Sequence, residues 1–174
     1  MREDEEGFEY PVVNKNVCIN CNLCEKHCPI ENKERNIEEP IAYAAINKNE
    51  EIRRESSSGG MFTLLAEAIL DKGGVVYGAA FNDEYIVEHI KVTQKEDLKL
   101  LRGSKYVQSK IGTIYEDVRD SLQNGKWVYF TGTPCQVDGL LTYLGKEDSH
   151  LICQDIVCHG VPSPKIWKWY LKQI

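Results

Sequence analysis

The sequence predicts a small cysteine-bearing module followed by a mixed α/β domain with a βαβ unit, a chain of combined α+β and α/β character. Three observations carry that expectation. Residues 18–28 hold four of the seven cysteines in a stretch too short to bury a core of its own. Two apolar runs, "VVYGAAF" and "YIVEHIKV", flank a turn at "NDE" and read as a hairpin. "KWVYFTG", "CQVDGLLTYLG" and "HLICQDIVC" follow as strand, helix and strand, which requires a parallel pair joined by a right-handed crossover.

The module spans residues 1–36 and the larger domain 37–174. "REDEEGFE" at 2–9 is an acidic run, read as a solvated leading edge or as a docking site for a basic redox partner. "EYPVV" is a short strand, and the cysteine run is loop leading into a helical turn. "NKERNIEEP" is a polar connector. Beyond it "IAYAAIN" reads as a strand, followed by "KNEEIRRE" and the turn-rich "SSSGG". "MFTLLAEAILDKGG" has apolar residues at helical spacing and ends on glycines, a helix with its stop. "KEDLKLLRG" is a short amphipathic helix and "IGTIYEDVRDSLQNG" a longer one. Pro164, in "VPSPKIWKWYLKQI", suits the first turn of a last helix. That helix reaches Ile174 without a cap, and the expectation is a chain cut at its end.

Composition limits the function classes. The 174 residues are 42% hydrophobic and 28% charged, the balance of an ordinary folded protein. A net charge of −6 and a pI near 5.3 argue against nucleic acid or an anionic membrane surface as partner, since both need a concentrated basic face. No stretch approaches the roughly 20 apolar residues of a membrane span. No basic region leads into an apolar one at the N-terminus, so the expected location is cytoplasmic. Thiols there stay reduced and serve metals or catalysis.

"CINCNLCEKHCP" is a C-x2-C-x2-C-x3-C-P run, the spacing with which bacterial ferredoxins hold a [4Fe–4S] cluster. Thiolates three residues apart on a tight loop grip separate irons of one cubane, and the following proline turns the chain away. The metal ligands expected are Cys18, Cys21, Cys24 and Cys28, in a ferredoxin-like iron–sulfur module. In two-cluster ferredoxins the fourth cysteine ligates the other cluster. No upstream run is present for it here, so the module reads as the second half of a ferredoxin, truncated at its N-terminus. If the chain is complete, Cys28 closes the same cluster. The competing readings are zinc in a structural or interaction module, although zinc usually takes two separated pairs, and unligated thiols.

At "SSSGGMF", "GSKYVQS", "GTPCQVDGL" and "VCHGVPS" the chain resembles the family of coenzyme F420 hydrogenase/dehydrogenase beta subunits. The motifs occur in the family's order, and the resemblance runs over the whole chain. It implies FAD, one or two [4Fe–4S] clusters, and electron passage to a soluble carrier or substrate such as coenzyme F420. It also implies a redox partner protein, or a place within a larger oxidoreductase of several subunits. Family members normally continue well past the last motif.

The motif residues make chemical sense as parts of a flavin site. Ser57, Ser58, Gly59 and Gly60 open a helix, whose N–H groups and positive end suit a pyrophosphate; Arg54 could add charge. The alternative is an ordinary N-cap and turn. Lys105 offers a cation to phosphate or flavin, and Tyr106 a stacking surface; a solvated lysine beside a core tyrosine is the other reading. Thr133, Pro134 and Gln136 sit in a turn between strand and helix, a common ligand position in α/β sheets, with Gln136 able to bond a ring edge.

Cys135 and Cys158 lie at the ends of two strands expected side by side, and a second cluster there is one reading. Asp155, His159 or sequence beyond the chain would complete it; a structural histidine is the alternative for His159. Strand alternation puts Cys153 and Cys158 on opposite faces, and Cys153 reads as a small core residue. Cys135 at a helix start beside His159 could instead be an activated nucleophile, which leaves the four-cysteine run without a purpose.

Overall fold

The computed structural model describes residues 1–28, 31 and 39–174. Pro29 and most of the connector expected at 32–40 lie outside the described residues. At the N-terminus Arg2–Glu3 (β1) pairs antiparallel with Glu9–Tyr10 (β2). The strand expected over "EYPVV" therefore stops after two residues, at the point where Pro11 brings no N–H to a ladder. Asp4 tightens the intervening turn by accepting from the N–H groups of Glu6 and Phe8, both at 2.9 Å.

The domain is built on a four-stranded sheet in the order β4–β3–β5–β6. Val75–Phe81 (β3) and Val87–Val92 (β4) form the expected antiparallel hairpin. Asn82 shapes its turn, accepting from the N–H groups of Glu84 and Ile86 at 3.0 Å each. Val128–Gly132 (β5) runs parallel to β3, and Leu151–Asp155 (β6) parallel to β5. Pro134–Leu144 (α6) connects the last two, so the βαβ unit is present as predicted.

Alternation along the central strands divides the core into two layers. Val75, Tyr77, Val128 and Phe130 face Val118, Val137 and Leu140, the last three from Ile114–Gln123 (α5) and α6. On the other face Val76, Tyr129 and Val92 meet Ala66 and Ile69 of Met61–Leu70 (α3) and Leu98 of Leu98–Leu101 (α4). The sheet thus lies between two helical layers, the arrangement that covers both faces of a largely parallel sheet. Tyr77 is fully buried without an orphaned hydroxyl: its oxygen lies 3.0 Å from the Asp117 carbonyl, to which it donates, and 2.9 Å from Ser121 Oγ.

Three expectations need correction. "IAYAAIN" forms no strand; Ile41, Tyr43 and Ile46 are all more than 60% exposed. Its anchor is Asn47, whose N–H donates to Gly59 O at 2.7 Å and whose side-chain amide donates to Gly60 O at 3.2 Å. That segment pairs with a turn, and no ladder can propagate from it. The second hairpin strand begins at Val87 because Tyr85 adopts a positive φ of 56° in the turn. The last strand ends at Asp155, one residue before Ile156 donates its N–H to Gly132 O. Cys158 is beyond the ladder, so strand alternation does not relate it to Cys153.

The final helix, Pro164–Leu171 (α7), has Pro164 in its first turn and Ser163 as its cap, accepting from Ile166 N at 3.4 Å. It also joins the ends of the molecule. Ser163 Oγ and Lys165 N donate to Glu6 O at 2.9 and 3.1 Å, and Trp167 Nε1 donates to Tyr85 O at 2.9 Å.

Candidate cofactor-binding site

The cysteine run folds as expected, a loop leading into one helical turn, Leu23–Lys26 (α1). Asn20 and Asn22 take positive φ values of 53° and 56°, a conformation asparagine tolerates better than most residues and one that curls the loop between the thiols. Cys18, Cys21 and Cys24 are exposed and Cys28 half-buried, so the loop presents its thiols at the surface. Four thiols on one tight loop could serve as the donor set of an iron–sulfur cluster. Among the described residues no three His, Cys, Asp or Glu side chains are gathered as they would be around a bound metal ion.

The loop is attached to the sheet domain. His27 Nδ1 lies 2.9 Å from the carbonyl oxygen of Thr142, in the last turn of α6. Because that oxygen can only accept, Nδ1 carries a proton and donates. The opposite end of α6 begins at the "GTPCQ" turn.

Three of the four quoted motifs meet around that end of the sheet. Ser57, in "SSSGG", accepts from Ser104 N at 2.9 Å and lies 3.0 Å from Ser104 Oγ, in "GSKYVQS". At the far end of the second motif Ser109 Oγ lies 2.8 Å from Gln136 Nε2, in "GTPCQ", which donates to it. Ile156, the residue just before the fourth motif, donates its N–H to Gly132 O in the third. Residues 102–110 are thus tied at both ends, and Tyr106 between the ties is 80% exposed.

The predicted residues fall into distinct environments. Gly60 is the N-cap of α3 at φ 73°, with no side chain to satisfy the first-turn N–H groups. A Cβ on Gly59 would stand 2.6 Å from Ala45 O, so this glycine is required by its own backbone neighbour. Ser58 is exposed, and Arg54 points to Glu50, 3.9 Å away, on the outer face of Glu50–Arg54 (α2). Lys105 donates to the carbonyls of Arg102 and Gly103 at 2.9 and 3.1 Å, and burial holds its pKa below the usual lysine value.

Thr133 is the N-cap of α6 and Pro134 its first residue. Gln136 accepts from Thr133 N at 3.0 Å through Oε1 while its amide donates to Ser109, so its polar atoms are engaged within the protein. Tyr115 donates to Gln136 O at 2.8 Å; burial, and after it the charge of Cys135, push its pKa up to about 12 and keep it a donor.

Two residues not singled out from the sequence stand in this region. Arg102 Nε donates to Thr63 Oγ1 at 3.1 Å in the first turn of α3, and its guanidinium pairs with Glu55. It is the residue immediately before "GSKYVQS", which is the signal that could have found it. His89, 5% exposed on β4, lies between Ser109 and β5. No local pattern marks it.

Cys135 is exposed in the first turn of α6, 3.1 Å from Thr133 Oγ1. Cys158 is exposed, and so are Asp155 and His159. The described residues assemble no group of three such ligands there. Cys153 packs against the core, and burial, with Asp155 adding to it, raises its thiol pKa to about 11. That is the environment of an inert core cysteine.

Residues 42–115 match the family model described as the N-terminal part of the coenzyme F420 hydrogenase/dehydrogenase beta subunit. The chain is 26% identical over 165 residues to one of the subunits of the F(420)H(2) dehydrogenase of Methanosarcina mazei, an alignment covering 86% of this chain and 45% of that relative. The chain therefore spans about half the length of the curated relative it matches. Among solved structures it overlaps part of the F420-reducing [NiFe] hydrogenase complex of Methanosarcina barkeri, at 26% identity and a TM-score of 0.45, over 57% of this chain and 37% of that one. No helix among the described residues is long and apolar enough to cross a membrane.

Proposed function

From a chain that belongs, through residues 42–115, to the family of coenzyme F420 hydrogenase/dehydrogenase beta subunits, we propose the cluster-bearing and flavin-binding portion of an electron-transfer oxidoreductase. Cys18, Cys21, Cys24 and Cys28 hold a [4Fe–4S] cluster. FAD lies where the segments around Ser57–Gly60, Ser104–Ser109 and Thr133–Gln136 meet. A cluster supplies one-electron steps and a flavin converts them to two-electron chemistry at a soluble carrier or substrate such as coenzyme F420. A redox partner protein, or a place in a larger oxidoreductase, and a cytoplasmic location belong to the same reading.

The observation that carries this is the attachment of the cysteine loop to α6. Thr142 and Cys135 are seven residues apart on that helix, so the loop and the "GTPCQ" turn are separated by about 10 Å along its axis. The protein's own work is to hold that separation. His27 ties the loop to the helix end. Gly60 leaves the start of α3 uncapped, where first-turn N–H groups favour an anion, and the ties of Ser57 and Ser109 hold the 102–110 segment across the same region. The exposed ring of Tyr106 offers a face for stacking.

Anaerobic purification tests both halves. The expected product is brown, and on denaturation it releases a yellow flavin identified as FAD. A colourless protein carrying zinc would end the reading. Iron and sulfide without flavin would remove FAD and leave a cluster protein.

A further inference from the structure

His89 sits at the centre of a hydrogen-bond chain whose direction can be read from its ends. Its Nε2 lies 3.0 Å from Thr131 O, which can only accept, so Nε2 carries the proton. Its Nδ1 lies 2.9 Å from Ser109 Oγ, and in the uncharged ring that nitrogen must accept. Ser109 therefore donates to the imidazole and receives, on its remaining lone pairs, the amide of Gln136. The orientation of that amide is fixed in turn by Thr133 N–H, which needs an acceptor and finds Oε1 at 3.0 Å. Every link has one consistent sense. Stacking on Phe130, at 5.3 Å between ring centres and 17° between planes, holds the imidazole in place.

The chain joins segments distant in sequence: β4, the end of the 102–110 loop, β5 and the first turn of α6. The loop gains a second hold on β4 from Lys110, which donates its N–H to Val87 O and accepts from His89 N, both at 2.9 Å. Burial disfavours the charged imidazole and keeps the uncharged form that this geometry requires.

We propose that His89, as the Nε2–H tautomer, is a positioning residue that locks the 103–109 loop and the Gly132–Gln136 turn into one unit, so that groups on the two segments keep a fixed spacing. That this spacing serves a flavin rests on the function proposed above; the coupling of the two segments does not.

The full chain is compared as wild type, His89→Gln, His89→Leu and Ser109→Ala by hydrogen exchange resolved to residues 103–110 and 133–137. His89→Leu and Ser109→Ala are expected to speed exchange in both segments together, by about tenfold for the loss of one hydrogen bond to a buried partner. His89→Gln, which can still donate and accept, is expected to restore most of the protection. Nitrogen-15 spectra of histidine-labelled wild type, assigned by difference from His89→Gln, should show a protonated Nε2 and a bare Nδ1. Loosening of one segment alone, a glutamine variant as loose as leucine, or an Nδ1–H tautomer overturns the proposal. Should His89→Leu fail to fold, Ser109→Ala and the wild-type spectra decide it. Flavin binding is scored separately, and a wild type that binds no flavin with the coupling intact would overturn only the flavin reading.

Discussion

Gly59→Ala would drive a methyl group toward Ala45 O, a backbone atom that cannot swing aside. The expected cost is about 1–3 kcal/mol, the range for forcing volume into a packed contact, measurable by denaturant unfolding. His89 makes a second residue-level prediction. Burial, opposed by its bond to Thr131, lowers its folded-state pKa below the unfolded value near 6.5. Below that pH the unfolded chain binds more protons than the folded one, so stability falls as pH falls, by at most about 1.4 kcal/mol per pH unit for one proton. His89→Gln should remove that increment of acid sensitivity in paired melts from pH 7 to 5. Neither residue's importance can be read locally. The partners of His89 lie 20 and 42 residues away. Gly59 reads as a ligand glycine because the contact that demands it comes from a segment with the texture of a strand.

Among the elements, those that bury a face are legible. The bounds of β3, 75–81, follow from an apolar run that ends in a glycine pair on one side and a turn on the other. α6 is legible from a threonine–proline start and a glycine stop, Gly145 taking φ 66°. The 41–47 segment has the same apolar texture without a partner, and propensity alone does not make a ladder. At α6 the cap is also a motif. Gln136→Ala removes the acceptor for Thr133 N and the donor to Ser109, and should cost about 1–2 kcal/mol. The loss should appear in thermal unfolding, with faster exchange at the start of α6 and little change in its last turn.

Over the whole molecule, order in the sequence and closeness in space part company. The acidic run at 2–9, which has the composition of a free edge, folds as a small hairpin against α7, and Lys165 Nζ donates to Glu5 O. Ser163→Ala deletes both the α7 cap and the bond to Glu6 O, and is expected to speed exchange in residues 4–8 and 163–171 together. The cysteine run is legible as a candidate ligand set because one cluster can be held by neighbours in sequence. The pairing of the cysteine loop with the far end of α6 is not, since the bond from His27 joins residues 115 apart in sequence.

In the function proposed above, the four thiols of that loop are bonded to iron and lie at one end of an electron route. Iron and acid-labile sulfide, counted per chain in protein purified without oxygen, test it most directly. Equal amounts of both are expected, lost together in Cys21→Ser; zinc in their place, or iron and sulfide absent from freshly prepared wild type, would rule the cluster out.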